Sequence, residues 1–121
     1  MAKEDKYADE VMSDEELDNV AGGGTMQTTG DGDFLESHGF ISGGERDFLF
    51  NWEEDSAKVD AGWAKAGVTC VTKYGCPDNL YFINGKQVSR KDAFRHALRQ
   101  DNYSESEISN YNFDQWAGSF D

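Results

Sequence analysis

The chain has little of what most sharply restricts a backbone or cross-links it: one proline, Pro77, and two cysteines, Cys70 and Cys76, in 121 residues. A single proline excludes polyproline and collagen-like architectures. Two cysteines exclude a disulfide-dense scaffold and leave room for at most one internal bridge. Bases are scarce as well, 11 Lys and Arg against 24 Asp and Glu, for a net charge of −13. That deficit argues against nucleic acid as a partner, because phosphate binding requires a basic face. It argues equally against a cationic peptide that adsorbs to anionic lipid. Long apolar runs are missing too. Segments such as Phe48-Leu49-Phe50 and Leu80-Tyr81-Phe82-Ile83 are far too short for a membrane-spanning helix. The start, Met1-Ala2-Lys3-Glu4-Asp5-Lys6, leads to no apolar core of a general secretory signal.

What is present suits one small domain. Eight Phe, five Tyr and three Trp bury much area per residue, which compensates for a hydrophobic content of 37%. Composition divides the chain into four zones. Residues 1–21 carry eight acids and two lysines. Residues 22–44 hold eight of the thirteen glycines among Thr, Ser and Asp, which reads as a flexible Gly-rich linker over 24–44. Residues 45 to about 103 carry the periodic apolar pattern of a payload domain. Residues 104–121 form an acidic tail dotted with Tyr111, Phe113, Trp116 and Phe120.

The payload reads as α+β: a small antiparallel sheet of about three strands with one or two packed helices. Asp55 or Ser56 is a candidate cap for a helix with Val59, Trp63 and Ala66 on one face, stopped by Gly67. Val68 to Tyr74 is rich in β-branched residues and predicts a strand, followed by a turn at Gly75-Cys76-Pro77-Asp78. Leu80–Ile83 and Lys86–Val88 flank Asn84-Gly85, the dipeptide that supplies the positive φ values of a type I′ hairpin turn. Ser89, with Asp92 three residues on, predicts the start of a second helix whose apolar stripe is Ala93, Phe94, Ala97 and Leu98.

The segment Met12 to Gly23 carries the strongest functional signal. It predicts a short helix with well-made ends. Ser13 and Glu16 form a capping box, and Met12 and Leu17 a hydrophobic staple around it. Asp14, Glu15 and Glu16 lie in the first turn, where the helix dipole favours negative charge. Leu17, Val20 and Ala21 make one apolar edge. A helix of about two turns is marginal alone in water, so it suits folding into a partner's groove. The two glycines behind it present backbone without side chains, which suits a narrow protease channel.

This segment resembles the leader of double-glycine bacteriocin precursors, and its wording is also similar to nitrogenase-operon-type leader peptides. The family pattern is an apolar residue, Ser, two others, Glu-Leu, two others, an aliphatic residue, one more and Gly-Gly. Met12, Ser13, Glu16, Leu17, Val20, Gly22 and Gly23 fill these places. The resemblance implies a leader spanning 1–23, cut after Gly23 by the papain-like peptidase domain of a dedicated ABC exporter. Met12, Glu16, Leu17 and Val20 would then be its recognition residues and Gly22-Gly23 its cleavage site. Two departures stand out: Gly24 extends the glycine pair by one, and the segment is much shorter than a nitrogenase-operon-type leader.

The expected product is a secreted, bacteriocin-like, non-enzymatic protein that acts on an unidentified protein or cell-surface target. Cleaved after Gly23, it has 16 acids against 9 bases, so a membrane-permeabilising activity is not expected. No cofactor or metal site is predicted. His38 and His96 have no local catalytic partners, and Asp31-Gly32-Asp33 lacks the continuation of a calcium loop. Cys70 and Cys76 are candidates for a disulfide worth roughly 2 kcal/mol, with a buried Cys70 and an idle Cys76 as the alternative. In the tail, Ser104 and Glu107 predict a last capped helix that docks Ile108 and Tyr111. Phe113, Trp116 and Phe120 either dock with it or form an exposed partner-binding patch. Two further readings stay open: a precursor whose payload is chemically modified, and an acidic cytoplasmic protein that binds or inhibits a basic partner.

Overall fold

The computed structural model describes residues 23–47 and 51–120. Met12, Ser13, Glu16, Leu17, Val20 and Gly22, on which the leader resemblance rests, lie outside them, as does Phe48-Leu49-Phe50. Among the described residues, four helices and a three-stranded sheet carry the frame. Helix α1 spans Gly24–Ser37 and helix α2 Trp52–Lys65. Strands β1 (Thr69–Val71), β2 (Leu80–Ile83) and β3 (Lys86–Val88) form an antiparallel sheet in sequence order. Helix α3 (Arg90–Gln100) and the short helix α4 (Glu105–Ser109) follow, then a single 3₁₀ turn at Phe113–Gln115. The arrangement is α+β, as the apolar patterning predicts.

Local chemistry accounts for most of these boundaries. Asn84 and Gly85 adopt φ of 53° and 80°, the positive values of a two-residue turn whose twist matches the strands. They set the register Ile83↔Lys86, Phe82↔Gln87 and Tyr81↔Val88. Ser89 caps α3 by accepting from the Asp92 amide at 3.0 Å. Ser104 and Glu107 close a complete capping box on α4. Gly67, at φ 83°, ends α2 in the left-handed region.

Three boundaries differ from expectation. Helix α2 starts at Trp52 after Asn51, a full turn before Asp55. Asp55 instead faces back from the first turn and accepts the Asp47 amide at 2.6 Å. Strand β1 is only three residues long, because Lys73 turns away to donate its amide to the Asn79 side chain. The largest correction concerns residues 24–37, which are a helix packed into the core and not a flexible linker. Gly24, Thr25, Gln27, Thr28, Gly30, Asp31, Gly32, Phe34 and Leu35 are buried in it. Glycine-rich composition signals a linker only where nothing presses on the backbone; here the glycines are where neighbours press.

The core lies between α1, α2, the inner face of the sheet and α3. Phe34, Leu35, Val59, Trp63, Val68, Tyr81, Phe94 and Leu98 are at most 2% exposed. Phe34 stacks on Phe94 at 4.0 Å between ring centroids and contacts Trp63 at 5.9 Å. The stripe Ala93, Phe94, Ala97 and Leu98 is buried in full, as its helical spacing predicts.

Candidate functional site

The junction Gly23–Gly24, the expected cleavage point, is built into the fold. Gly23 stands at the N-terminus of α1 with φ 51° and ψ −121°. Its carbonyl accepts the Gln27 amide at 2.9 Å, which closes the first helical turn. The Gly24 amide donates to the Pro77 carbonyl at 2.7 Å, and the Thr25 amide to the Gly75 carbonyl at 3.3 Å. In return the Gly75 amide donates to the Thr25 hydroxyl at 2.6 Å. A Cβ on Gly23 would lie 1.7 Å from the Cys76 carbonyl oxygen; one on Gly24 would lie 2.1 Å from that of Lys73. Neither position admits a side chain. The turn of residues 73–79 thus clamps the start of α1, and glycine is required there by contact distance.

Asn79 organises that turn. Its side-chain oxygen accepts the Lys73 amide at 2.7 Å, and its side-chain nitrogen donates to the Thr28 hydroxyl at 2.9 Å. Its own amide donates to the Gln27 side-chain oxygen at 2.8 Å. Behind it lies Asp31, fully buried on α1. One carboxylate oxygen pairs with Arg90 Nε at 2.9 Å. The other accepts from Tyr81 at 2.6 Å and from Trp63 at 3.2 Å. Burial pushes the Asp31 carboxyl upward, opposed first by the Arg90 charge and then by these donors. The Tyr81 hydroxyl is raised well above its ordinary value by burial and by the neighbouring carboxylate.

Arg90 carries the network to the tail. Its guanidinium donates to the carbonyls of Ala117 at 2.6 Å, Ser119 at 3.2 Å and Gln27 at 3.2 Å. It also lies over the ring of Phe120, 4.2 Å from the centroid. The tail can cross α1 this closely because Gly30 has no Cβ; one there would lie 2.0 Å from the Ala117 carbonyl oxygen.

Phe113, Trp116 and Phe120, the candidate partner-binding residues, are half-buried and packed against the core. Phe120 meets Phe94 edge-on at 4.9 Å, and Trp116 meets Phe34 at 6.0 Å. They dock against the core, the first of the two arrangements expected for the tail. Tyr111 is held in the same way. Its oxygen lies 2.9 Å from His38 Nε2 and accepts from Trp116 Nε1 at 3.0 Å. His38 Nδ1 lies 2.8 Å from the Asp101 carboxylate. An acid, an imidazole and a hydroxyl in line have the connectivity of a nucleophile triad. Here, however, burial raises Tyr111 above its ordinary value, and Trp116 already occupies the oxygen. The group reads as a clasp joining the end of α1 to the tail.

The cysteines correct another expectation: no disulfide joins them. Cys70 faces the core from β1, where burial pushes its thiol up, and Cys76 is exposed in the clamping turn. The alternation of β1 turns Cys70 inward (burial runs exposed, buried, exposed), so the two side chains occupy different environments. Beside Cys70, Asp60 on α2 is raised to about 6 by burial, opposed by bonds from Thr72 and Cys70, and its Oδ1 has no partner. His96 lies against Gly67, where a Cβ would come within 2.9 Å of its Nε2. Among the described residues, no group of three or more His, Cys, Asp or Glu is arranged to hold a metal ion. Nor is any helix among them long and apolar enough to cross a membrane. Two bases of α3 are drawn into pairs: Arg95 with Asp92 at 2.8 Å, and Arg99 with both oxygens of Glu105 at 2.8 and 3.0 Å.

Sequence reasoning missed the roles of Thr25, Gln27, Thr28, Asp31, Asn79 and Arg90. The available signal was Thr25, Thr28, Asp31 and Leu35 at helical spacing, which composition concealed. No family model, curated protein or solved structure was found to match the chain.

Proposed function

We propose that the chain is the precursor of a small secreted, bacteriocin-like protein. Its leader is cut after Gly23 by the peptidase domain of a double-glycine ABC exporter, and its payload acts by binding a specific protein or cell-surface target. One observation carries this reading: the position of the Met12–Gly23 pattern relative to the fold. Among the described residues the first helix begins at Gly24, so a cut after Gly23 leaves a polypeptide that contains every described element from α1 to the docked tail. The payload acts through its surface, since the buried polar groups around Asp31 and Asn79 are spent on one another.

A specific observation also favours a second reading. The packing of Gly23 and Gly24 against the 73–79 turn requires glycine at both positions without reference to a peptidase. An acidic cytoplasmic binding protein with this fold needs the same two residues.

Co-expression with a peptidase-bearing exporter tests the first reading through residues outside the described fold. The double variant Leu17→Asp, Val20→Asp abolishes the extracellular product while the purified chain unfolds at the wild-type temperature. Undiminished export of that variant would sink the leader assignment and leave the cytoplasmic binder as the better account.

A further inference from the structure

The cleavage bond and the fold make incompatible demands on the same backbone. This inference rests on the leader reading above and concerns how that site is regulated. A papain-like peptidase holds its substrate extended on both sides of the scissile bond, hydrogen-bonding the backbone along its cleft. In the folded chain the residues after the bond are not extended. Gly24 is the first residue of α1, and its amide is already given to Pro77. The Gly23 carbonyl, the group a peptidase must polarise, accepts the Gln27 amide at 2.9 Å. On the other side the Cys76 carbonyl fills the space where a Cβ of Gly23 would project, 1.7 Å from that position. No cleft wall can enter there while the turn stays in place.

We propose that the folded payload protects its own processing site: cleavage after Gly23 requires the first turn of α1 to leave the 73–79 turn, so the chain is cut before that turn docks or during a local opening. The latch is Asn79 together with the reciprocal pair of Thr25 and Gly75. Its effect is to couple processing to export, because a precursor that finishes folding in the producing cell is withdrawn from the peptidase. Opening of this turn leaves α2, the sheet and α3 paired, and therefore costs less than global unfolding.

The test is the cleavage rate of the full-length chain by a purified peptidase domain of a double-glycine exporter. Four proteins are compared. Wild type is cut slowly. Asn79→Ala, which removes the latch, is cut roughly tenfold faster, as expected when a buried hydrogen-bonding hub is lost and the open population rises. Ile108→Ala, destabilised at the distant helix α4, stays near the wild-type rate. Trp63→Ala combined with Asp31→Ala, shown by circular dichroism to be unfolded, is cut fastest.

Wild type cut as fast as the unfolded chain would overturn the protection. Equal acceleration by Ile108→Ala and Asn79→Ala would overturn the local latch. An uncut unfolded chain would instead overturn the leader reading itself, so the two failures are separable.

Discussion

Asp60 shows how a single side chain sets a pH response. Its carboxyl is raised from 3.8 to about 6 because it is half withdrawn from water, with one oxygen unpartnered. Between those two values the folded chain binds more protons than the unfolded chain. Stability from this group is therefore full below the lower value and is lost as pH rises through about 6. Asp60→Asn should raise the melting temperature by a few degrees at pH 7.5 and by much less at pH 4, read by thermal unfolding at both. Burial raises the Asp31 carboxyl as well, but its charge has Arg90 and two donors beside it. Arg90→Met strands that charge and should cost about 3–5 kcal/mol in urea unfolding. Adding Asp31→Leu to that variant should recover part of the loss, because no orphan charge remains. The thiols give a third readout. Cys76 should react with a thiol reagent in the folded protein, whereas Cys70 should react only on unfolding. A bridge between them would instead leave neither thiol titratable.

Among the elements, legibility followed the kind of force that makes each one. The hairpin was readable because Asn84-Gly85 encodes its turn locally, and α3 and α4 because Ser89 and Ser104 announce their starts. Helix α1 was not, because its buried face is held by hydrogen bonds to Asn79, Gly75 and Arg90, partners remote in sequence. Hydrophobic periodicity does not register such a face, and the low intrinsic helix propensity of glycine points the other way. The same physics yields a prediction. Gly30→Ala gains helix propensity of roughly 1 kcal/mol, yet its methyl would sit 2.0 Å from the Ala117 carbonyl oxygen. The backbone contact wins, so the variant should lose stability and release the tail, seen as solvent exposure of Trp116 in fluorescence. Truncation after Tyr111 should also destabilise the chain, by several kcal/mol. It removes Phe120 from the Phe94 ring and leaves Arg90 without two of its carbonyls.

For the molecule as a whole, the acidic balance was evident in the composition, while the helix at residues 24–37 was not. The zone boundary near residue 44 suggested a payload preceded by a loose spacer. Among the described residues a helix instead begins at Gly24, so the proposed cut falls directly at its start and not in a spacer. The site was legible only as a pattern from Met12 to Gly23; its contacts depend on residues 73–79, which no local reading connects to it. The central claim is that this junction divides an export leader from a complete secreted domain. The most direct measurement is the intact mass of the protein in culture supernatant beside that in the cell pellet, in a strain expressing the exporter. The account predicts an extracellular species that begins at Gly24 and carries both thiols unoxidised. Full-length chain found only inside those cells would contradict it.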